Sequence, residues 1–369
     1  MRILFAITKG EVGGAQEHVR ILARQLVGRG HSVGIVVTDP SPLADSSRSF
    51  GASVFGWPSV VGRVAPVADL RARRELRRVV RQFEPDVFHL HSSKAGAVGA
   101  GLLTPPKGVT VFTCHHAPFG PGRLWRHRVV ARPVEHIALP RMHGIISDGV
   151  RDVPALLRVA PQVPIQVIPN SVSAPDEALS PANPRPAALW VARLAHPKDP
   201  LLAVTAWERV IERHPEATLV MCGAGPLGPA LDARLMASKA AARIQRPGFV
   251  ESLDGLYARS SLFVLPTRVE GGLTMATLEA MSHGLVPVVS DAGDAFLLDN
   301  LNCGVWVSKR GADAFANAVI RLLDHPDRIR HLRTNALRYV RSIWTVDDHC
   351  AETERFYEEV LDRHGIQPR

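Results

Sequence analysis

Two glutamates, Glu270 and Glu279, flank a glycine pair in the segment 266–290, PTRVEGGLTMATLEAMSHGLVPVVS. A carboxylate can accept two sugar hydroxyls at once. Free backbone N–H groups at a helix start attract phosphate, and Gly271, Gly272, Leu273 and Thr274 lead into such a start. An anion site beside two sugar-reading acids is the chemistry of a nucleotide-sugar pocket. An ordinary tight turn with solvated acids accounts for these residues equally well, so other positions must decide. Arg193 and Lys198 are five residues apart. Arg binds phosphate bidentately and Lys adds a point charge. Histidines recur in two short runs, His89 and His91 with Lys94 nearby, then His115 and His116. Singly each histidine reads as structural. Several at one edge of a sheet read as a site.

The elements that position these groups follow from hydrophobic periodicity. Leu262–Leu265 is a short apolar strand ending at Pro266. A helix is predicted from about Thr274 to just before Gly284, which suits a left-handed C-terminal cap. Residues 285–289 form the next buried strand, completing a βαβ unit. Upstream, residues 3–7 are strand-like and Gly13 and Gly14 precede a helix. Val19, Leu22, Ala23 and Leu26 supply its apolar stripe. Strands are predicted at 87–90 and 109–113, delivering the histidine runs at their ends. If the first continues, His89 and His91 share a face and Leu90 takes the other. Further strands fall at 144–147, 165–168, 187–191, 218–222 and 244–249. Helices fall at 200–213, 312–323, 326–343 and 347–363. Such alternation means parallel sheets covered by helices, with ligands at the strand C-terminal ends. Arg193 and Lys198 follow one such end, and so do Gly13 and Gly14. The glycine pair is not a GxGxxG motif, so a dinucleotide cofactor is disfavoured.

At 369 residues, with 46% hydrophobic and 21% charged side chains, the chain is long enough for two domains. We place an N-terminal domain at 1–168 and a C-terminal domain at 169–345, joined by a Pro- and Ser-rich linker over 169–186. A last helix at 346–369 has acids (Glu352, Glu354, Glu358, Glu359) suited to packing back on the basic first half. Four scattered cysteines with no CxxC pairing argue against a disulfide scaffold or a zinc site and fit a reducing cytosol. No apolar run is long enough to span a membrane. The +9 net charge is uneven. Residues 1–168 hold 22 Lys/Arg against 11 Asp/Glu, whereas 169–369 hold 22 against 24. The excess sits in Arg71–Arg81 and in Arg123–Arg132 around Trp125. It points to an anionic partner or to solvated helix faces. Nucleic acid is not expected, because aromatic interleaving is sparse and no RRM or helix-turn-helix signature occurs.

Taken in order, GGAQEHVRILARQLVGRGHSV, HLHSSKAGAVGA, FTCHHAPF, VIPNSV, VARLAHPKD, MCGAGPL and EGGLTMATLEAMSHGLVPVVSD resemble the family 4 retaining glycosyltransferases over nearly the whole chain. The resemblance implies the α/β GT-B fold: two facing Rossmann-like parallel-sheet domains with a C-terminal helix crossing back to the first. It implies a nucleotide-sugar donor held mainly by the C-terminal domain and a hydroxyl acceptor held by the N-terminal one. Residue by residue, Arg193 and Lys198 match the pair that binds the donor diphosphate. Glu279 matches the ribose ligand, and Glu270 the glutamate near the donor sugar. Gly271, Gly272, Leu273 and Thr274 would offer backbone N–H groups. Gly13 and Gly14 match the N-terminal glycine loop. His115 matches the histidine by the donor sugar, with His116 as alternative. Phe249 and Val250 lie where the base sits. His91, Lys94 and His116 are candidates on the acceptor side.

Two departures stand out. Eight residues separate Glu270 from Glu279 where the family pattern has seven, and the family's Gly-Gly-Glu after the next strand is replaced by Asp291-Ala292-Gly293-Asp294. The sequence contains no DxD motif, so we expect a metal-independent, cofactor-free reaction in which a diphosphate leaving group is stabilised. A UDP-sugar is the favoured donor and a lipid-linked glycan the favoured acceptor, in polysaccharide or glycoconjugate synthesis. The expected location is the cytoplasm, peripheral to an anionic inner membrane face. Open alternatives are a small-molecule acceptor, a sugar-nucleotide epimerase or phosphorylase on the same fold, and a non-catalytic nucleotide-sugar binding protein.

Overall fold

The computed structural model describes residues 1–62, 64–100, 105, 107–116, 136–180 and 184–369. The basic run Arg123–Arg132 lies outside the described residues. Two compact units are present: Met1–Asn170 together with Val346–Arg369, and Ser171–Thr345.

The first unit is built on a seven-stranded parallel sheet in the order β3-β2-β1-β4-β5-β6-β7. The strands are β1 Arg2–Ile7, β2 Ser32–Val37, β3 Ser53–Gly56, β4 Val87–His91, β5 Val109–Cys114, β6 Gly144–Ser147 and β7 Ile165–Val167. Ile3, Leu4, Phe5 and Ala6 of β1 are fully buried. A parallel strand covered on both faces reads as a continuous apolar run, and β1 does. Phe5 pairs with Ile35 on one side and His89 on the other. The strand order therefore reverses beside β1, which makes the β1/β4 C-terminal edge the switch point where such sheets bind ligands. The helix Gly14–Gly28 leaves that edge and buries Val19, Leu22, Ala23 and Leu26, the predicted stripe.

The last helix, Val346–Arg363, belongs to this unit. Phe356, Tyr357, Val360 and Leu361 are buried. Phe356 and Val360 sit so close over Gly144 that a Cβ there would lie 2.9 Å from each. Of the predicted acidic tether, Glu354 reaches Arg29 at 2.7 Å and His31 at 2.6 Å. Glu352 pairs within its own helix with Arg355, and Glu358 and Glu359 are exposed. Burying a side chain the size of Phe is worth about 1.5–3 kcal/mol, whereas a solvent-accessible ion pair gives ~0.2–1 kcal/mol. Apolar burial, not the acidic row, holds this helix down.

The second unit has a six-stranded parallel sheet, β10-β9-β8-β11-β12-β13. Its strands are β8 Ala187–Val191, β9 Thr218–Cys222, β10 Ile244–Gly248, β11 Leu262–Leu265, β12 Val286–Ser290 and β13 Val305–Val307. Here the switch point lies between β8 and β11. The described part of the expected linker is docked rather than free. Ser180 N–H donates to the His283 carbonyl at 2.9 Å, its hydroxyl donates to the Ser260 carbonyl at 2.7 Å, and Arg341 donates to the Pro175 carbonyl at 2.9 Å. The helix expected over 326–343 is regular only over Pro326–Arg338. It then widens into a π-helical turn, Tyr339–Ile343, closed by Trp344 N–H on the Tyr339 carbonyl at 3.0 Å. No helix among the described residues is long and apolar enough to cross a membrane.

Candidate functional site

In the second unit, the chain leaves β8 through Ala192, Arg193 and Leu194 and enters a tight 3-10 turn, His196–Lys198. The loop after β9 lies directly on this backbone. Leu194 N–H donates to the Ala224 carbonyl at 3.0 Å, and Leu227 N–H to the Leu194 carbonyl at 2.9 Å. Gly223 (φ +138°) and Gly225 (φ +157°) make the approach possible. A Cβ on Gly223 would overlap the Ala192 carbonyl oxygen, and one on Gly225 would stand 2.5 Å from the Leu194 carbonyl oxygen. Leu194 is buried and anchors the turn. Arg193 is exposed, and among the described residues its guanidinium has no hydrogen-bond or ion-pair partner. The two glycines thus fix where Arg193 stands. Gly223→Ala is expected to cost about 1–3 kcal/mol from backbone strain, lowering the urea midpoint at unchanged slope. An unaltered midpoint would show that the loop does not brace the Arg193 turn.

Lys198 Nζ is ion-paired with the Glu270 carboxylate. The Thr267 hydroxyl lies 2.6 Å from the same Glu270 oxygen and 2.9 Å from the Pro197 carbonyl. Arg268 N–H also donates to the Pro197 carbonyl, at 2.7 Å. The end of β11 is therefore laced to the 196–198 turn. Glu270 points at Lys198 despite its longer spacing from Glu279. Gly271, Gly272 and Leu273 are buried behind it. Gly293 (φ +53°) backs the turn so closely that a Cβ would stand 2.6 Å from the carbonyl oxygens of both Gly271 and Gly272. The loop after β12, which carries no family role in its Asp291-Ala292-Gly293-Asp294 run, thus supports the glycine pair. Thr274 caps the helix Met275–Ser282, its hydroxyl accepting from Thr277 N–H at 3.1 Å. Gly284 follows at φ +85°, the predicted left-handed stop.

Glu279 projects from this helix toward Tyr257. The Tyr257 hydroxyl hydrogen-bonds the Glu279 carboxylate, and burial together with that negative charge raises its pKa well above the usual phenol value. The Tyr257 ring stacks on His283, centroids 4.2 Å apart and planes within 10°. Burial lowers the His283 pKa, so the stack is neutral at pH 7. Val250 lines a cavity of about 630 Å³ with Gln245, Arg246, Leu256 and Arg259. Phe249 instead projects to solvent, 62% exposed.

In the first unit, Gly13 is the extended N-cap of the helix that Gly14 begins. Lys94 is engaged by Asp69 at 2.5 Å. His116 Nδ1 stands 3.7 Å from Asp152. His89 and His91 share one face, rings 4.1 Å apart. His89 is held by the Tyr357 hydroxyl at 2.6 Å and Thr113 at 2.7 Å. His91 Nδ1 meets His115 Nε2 at 3.1 Å, and His115 Nδ1 faces Asp148 at 3.7 Å. His18, which the sequence reading did not single out, completes the group. Its ring lies 4.8 Å from His115 and 5.4 Å from His91. Its Nδ1 meets Asn170 Oδ1 at 3.0 Å, and Asn170 Nδ2 donates to Asp148 at 3.2 Å. Desolvation by burial first, and mutual repulsion second, hold His18, His89 and His91 well below the ordinary imidazole pKa. His349 is pushed down to about 4, mainly by burial. His18 and Asn170 both stand inside the quoted motifs, GGAQEHV and VIPNSV. Only the tertiary fold shows that they meet.

The fold of this chain matches that of Anabaena HepE in complex with UDP-glucose at a TM-score of 0.80 and 16% identity, over 97% of this chain and 99% of that one. That places the protein in the GT-B class, two Rossmann-like parallel-sheet domains in one chain. Residues 12–174 match the family described as Glycosyltransferase Family 4, and residues 185–325 match Glycosyl transferases group 1. The chain belongs to the family 4 glycosyltransferases. It is 25% identical to the UDP-Gal:alpha-D-GlcNAc-diphosphoundecaprenol alpha-1,3-galactosyltransferase of Escherichia coli, covering 83% of each chain. It is 27% identical to the phosphatidyl-myo-inositol mannosyltransferase of Mycolicibacterium smegmatis, covering 94% of this chain and 90% of that one.

Proposed function

We propose that the protein moves a sugar from a nucleotide-diphosphate sugar, a UDP-sugar by preference, to a hydroxyl of an acceptor, with retention at the anomeric carbon and without a metal. The observation that carries the donor site is the gathering of Arg193, Lys198, Glu270 and the Thr274-capped helix along the β8/β11 edge of the second unit. In this reading Arg193 takes the diphosphate and shares its charge with Lys198 and the helix N-terminus. Glu279, steadied by Tyr257, accepts the ribose hydroxyls, and Val250 borders the base. Glu270 and the N–H groups of 271–274 read the sugar. The resemblance gives His115 a role toward the donor sugar. The leaving phosphate takes the acceptor proton on the same face, so no strong base is required.

UDP is favoured because the galactosyltransferase relative is named for UDP-Gal and the structural neighbour binds UDP-glucose. The galactosyltransferase relative is named for a diphosphoundecaprenol-linked acceptor and the mannosyltransferase relative for phosphatidyl-myo-inositol, which supports a lipid-linked acceptor here. The helix Pro66–Phe83 fits a peripheral location at an anionic membrane. It exposes Arg71, Arg74, Arg77, Arg78 and Arg81 to solvent, with the apolar Val67 and Leu70 also exposed at its start. Each basic residue near an anionic surface adds about 1 kcal/mol.

The test is to incubate the chain with UDP- and GDP-sugars and a polyprenyl-diphosphate glycan, following free nucleotide diphosphate and the anomeric configuration of the product. Acceptor-dependent release with an unchanged anomer is expected. Conversion of the donor to another sugar nucleotide without acceptor would indicate an epimerase instead. Binding with no turnover would leave a nucleotide-sugar binding protein.

A further inference from the structure

The buried histidine group of the first unit has a hydrogen-bonding pattern that points to a ligand. Asn170 is oriented by its Nδ2 donating to Asp148, so its Oδ1 requires a proton on His18 Nδ1. The His18 Nε2 atom is then a bare lone pair, buried with no hydrogen-bond partner. Asp148 likewise favours a proton on His115 Nδ1, leaving His115 Nε2 to accept from His91 Nδ1 at 3.1 Å. That leaves His91 Nε2 as a second bare lone pair, also buried and without a partner. His18 is 4% exposed and His91 is fully buried. One ring nitrogen from each of His18, His91 and His115 lies within 4.8 Å of the other two.

We infer that His18, His91 and His115 form a binding site for a divalent transition metal, Zn²⁺ by the chemistry of the donor set. Three imidazoles suit zinc, whereas Mg²⁺ and Ca²⁺ demand oxygen ligands. About a tetrahedral zinc with Zn–N of about 2.0–2.1 Å, neighbouring nitrogens stand ~3.3 Å apart, so nitrogens that lie within 4.8 Å of one another close by up to about 1.5 Å, and His115 Nε2 exchanges the hydrogen bond it accepts from His91 for the metal. The outer contacts are those of a metal-binding histidine: Asn170 on the far nitrogen of His18 and Asp148 on the far nitrogen of His115. Such partners fix the tautomer and aim the ligand nitrogen inward. The three rings come from separate elements, the helix Gly14–Gly28, the end of β4 and the residue after β5. An ion there would cross-link the β1/β4 edge of the sheet. It would also withdraw His115 from its proposed role, so Zn²⁺ should inhibit transfer. That consequence rests on the transferase reading, while metal binding does not.

The test uses the full chain, freed of metal and without donor or acceptor. Zn²⁺ is titrated against a chromophoric chelator, and Co²⁺ is added in parallel as a spectroscopic probe. One Zn²⁺ per chain is expected, with the intense visible absorption of four-coordinate Co²⁺. Asp148→Asn should weaken Zn²⁺ about 10–100-fold, and His18→Gln and His91→Gln by more. His325→Ala, on the exposed surface of the second unit, should change nothing. Failure of Zn²⁺ to bind in one-to-one ratio, affinity untouched by His18→Gln and His91→Gln, or the weak absorption of six-coordinate Co²⁺ would each overturn the site. The cobalt measurement needs only the natural chain, so it decides the matter even if a variant fails to fold.

Discussion

Arg193→Ala is expected to lower the turnover for sugar transfer by about 10²–10³, the cost of removing one preorganised stabiliser of developing charge. The magnitude follows from the surroundings of Arg193. Lys198 is paired with Glu270, so part of its charge is already neutralised. Arg193 has no such partner among the described residues and is exposed at the β8 edge. Its guanidinium is therefore uncompensated charge available to a diphosphate. A guanidinium also grips two phosphate oxygens at once, which an ammonium cannot. Arg193→Lys should thus recover only part of the loss. If Arg193 acts mainly on the departing diphosphate, kcat and kcat/KM should fall together, whereas a rise in KM alone would mean uniform binding. A rate equal to that of the natural chain would remove Arg193 from the mechanism.

Acidification is expected to unfold the first unit steeply below pH 6.5. His18, His89, His91 and His349 are buried, and burial holds all four imidazoles below their ordinary pKa, His349 at about 4. In the unfolded chain each titrates near 6.5. Between the folded and unfolded values the unfolded chain binds more protons, so stability falls as pH falls through that window. The full contribution is present above about pH 7.5. Each group can add a slope of up to about 1.4 kcal/mol per pH unit, and His349 alone accounts for about 3 kcal/mol by pH 4. Urea unfolding of the metal-free chain from pH 7.5 to 4.5, followed by far-UV circular dichroism, reads this slope. His349→Gln should flatten it. A midpoint independent of pH across this range would contradict the buried, neutral histidine group.

Much of the fold was legible because the sheets are parallel and buried. Runs such as 3–7, Leu262–Leu265 and 285–289 have few other ways to be satisfied, and the helix stop at Gly284 follows from backbone conformation alone. The edge strands escaped notice because β3 is short and only half apolar and β13 has only three residues. For the site, the sequence offered residue types but not their mutual support. The pairing of Lys198 with Glu270 spans 72 positions. Gly223, Gly225 and Gly293 matter because backbone from another loop presses on them, and no local pattern encodes that. The extra residue between Glu270 and Glu279 raised the prospect that Glu270 turns away. The structure sets it against Lys198 and Thr267, with Gly293 behind the turn. His18 went unremarked because a single histidine in an amphipathic helix reads as core. Its meeting with His91 and His115 depends on the order in which β1, β4 and β5 assemble.

The central claim is that the β8/β11 edge of the second unit holds a nucleoside diphosphate and its sugar. It is tested most directly by thermal shift with UDP, GDP, ADP and TDP and their common sugars, on the natural chain, Arg193→Ala and Glu279→Ala. One nucleotide, UDP by this account, should raise the melting midpoint of the natural chain. At about 100 times its dissociation constant the gain corresponds to ~2.7 kcal/mol, and both variants should lose most of it. No shift with any nucleotide, or an equal shift in the two variants, would contradict the account.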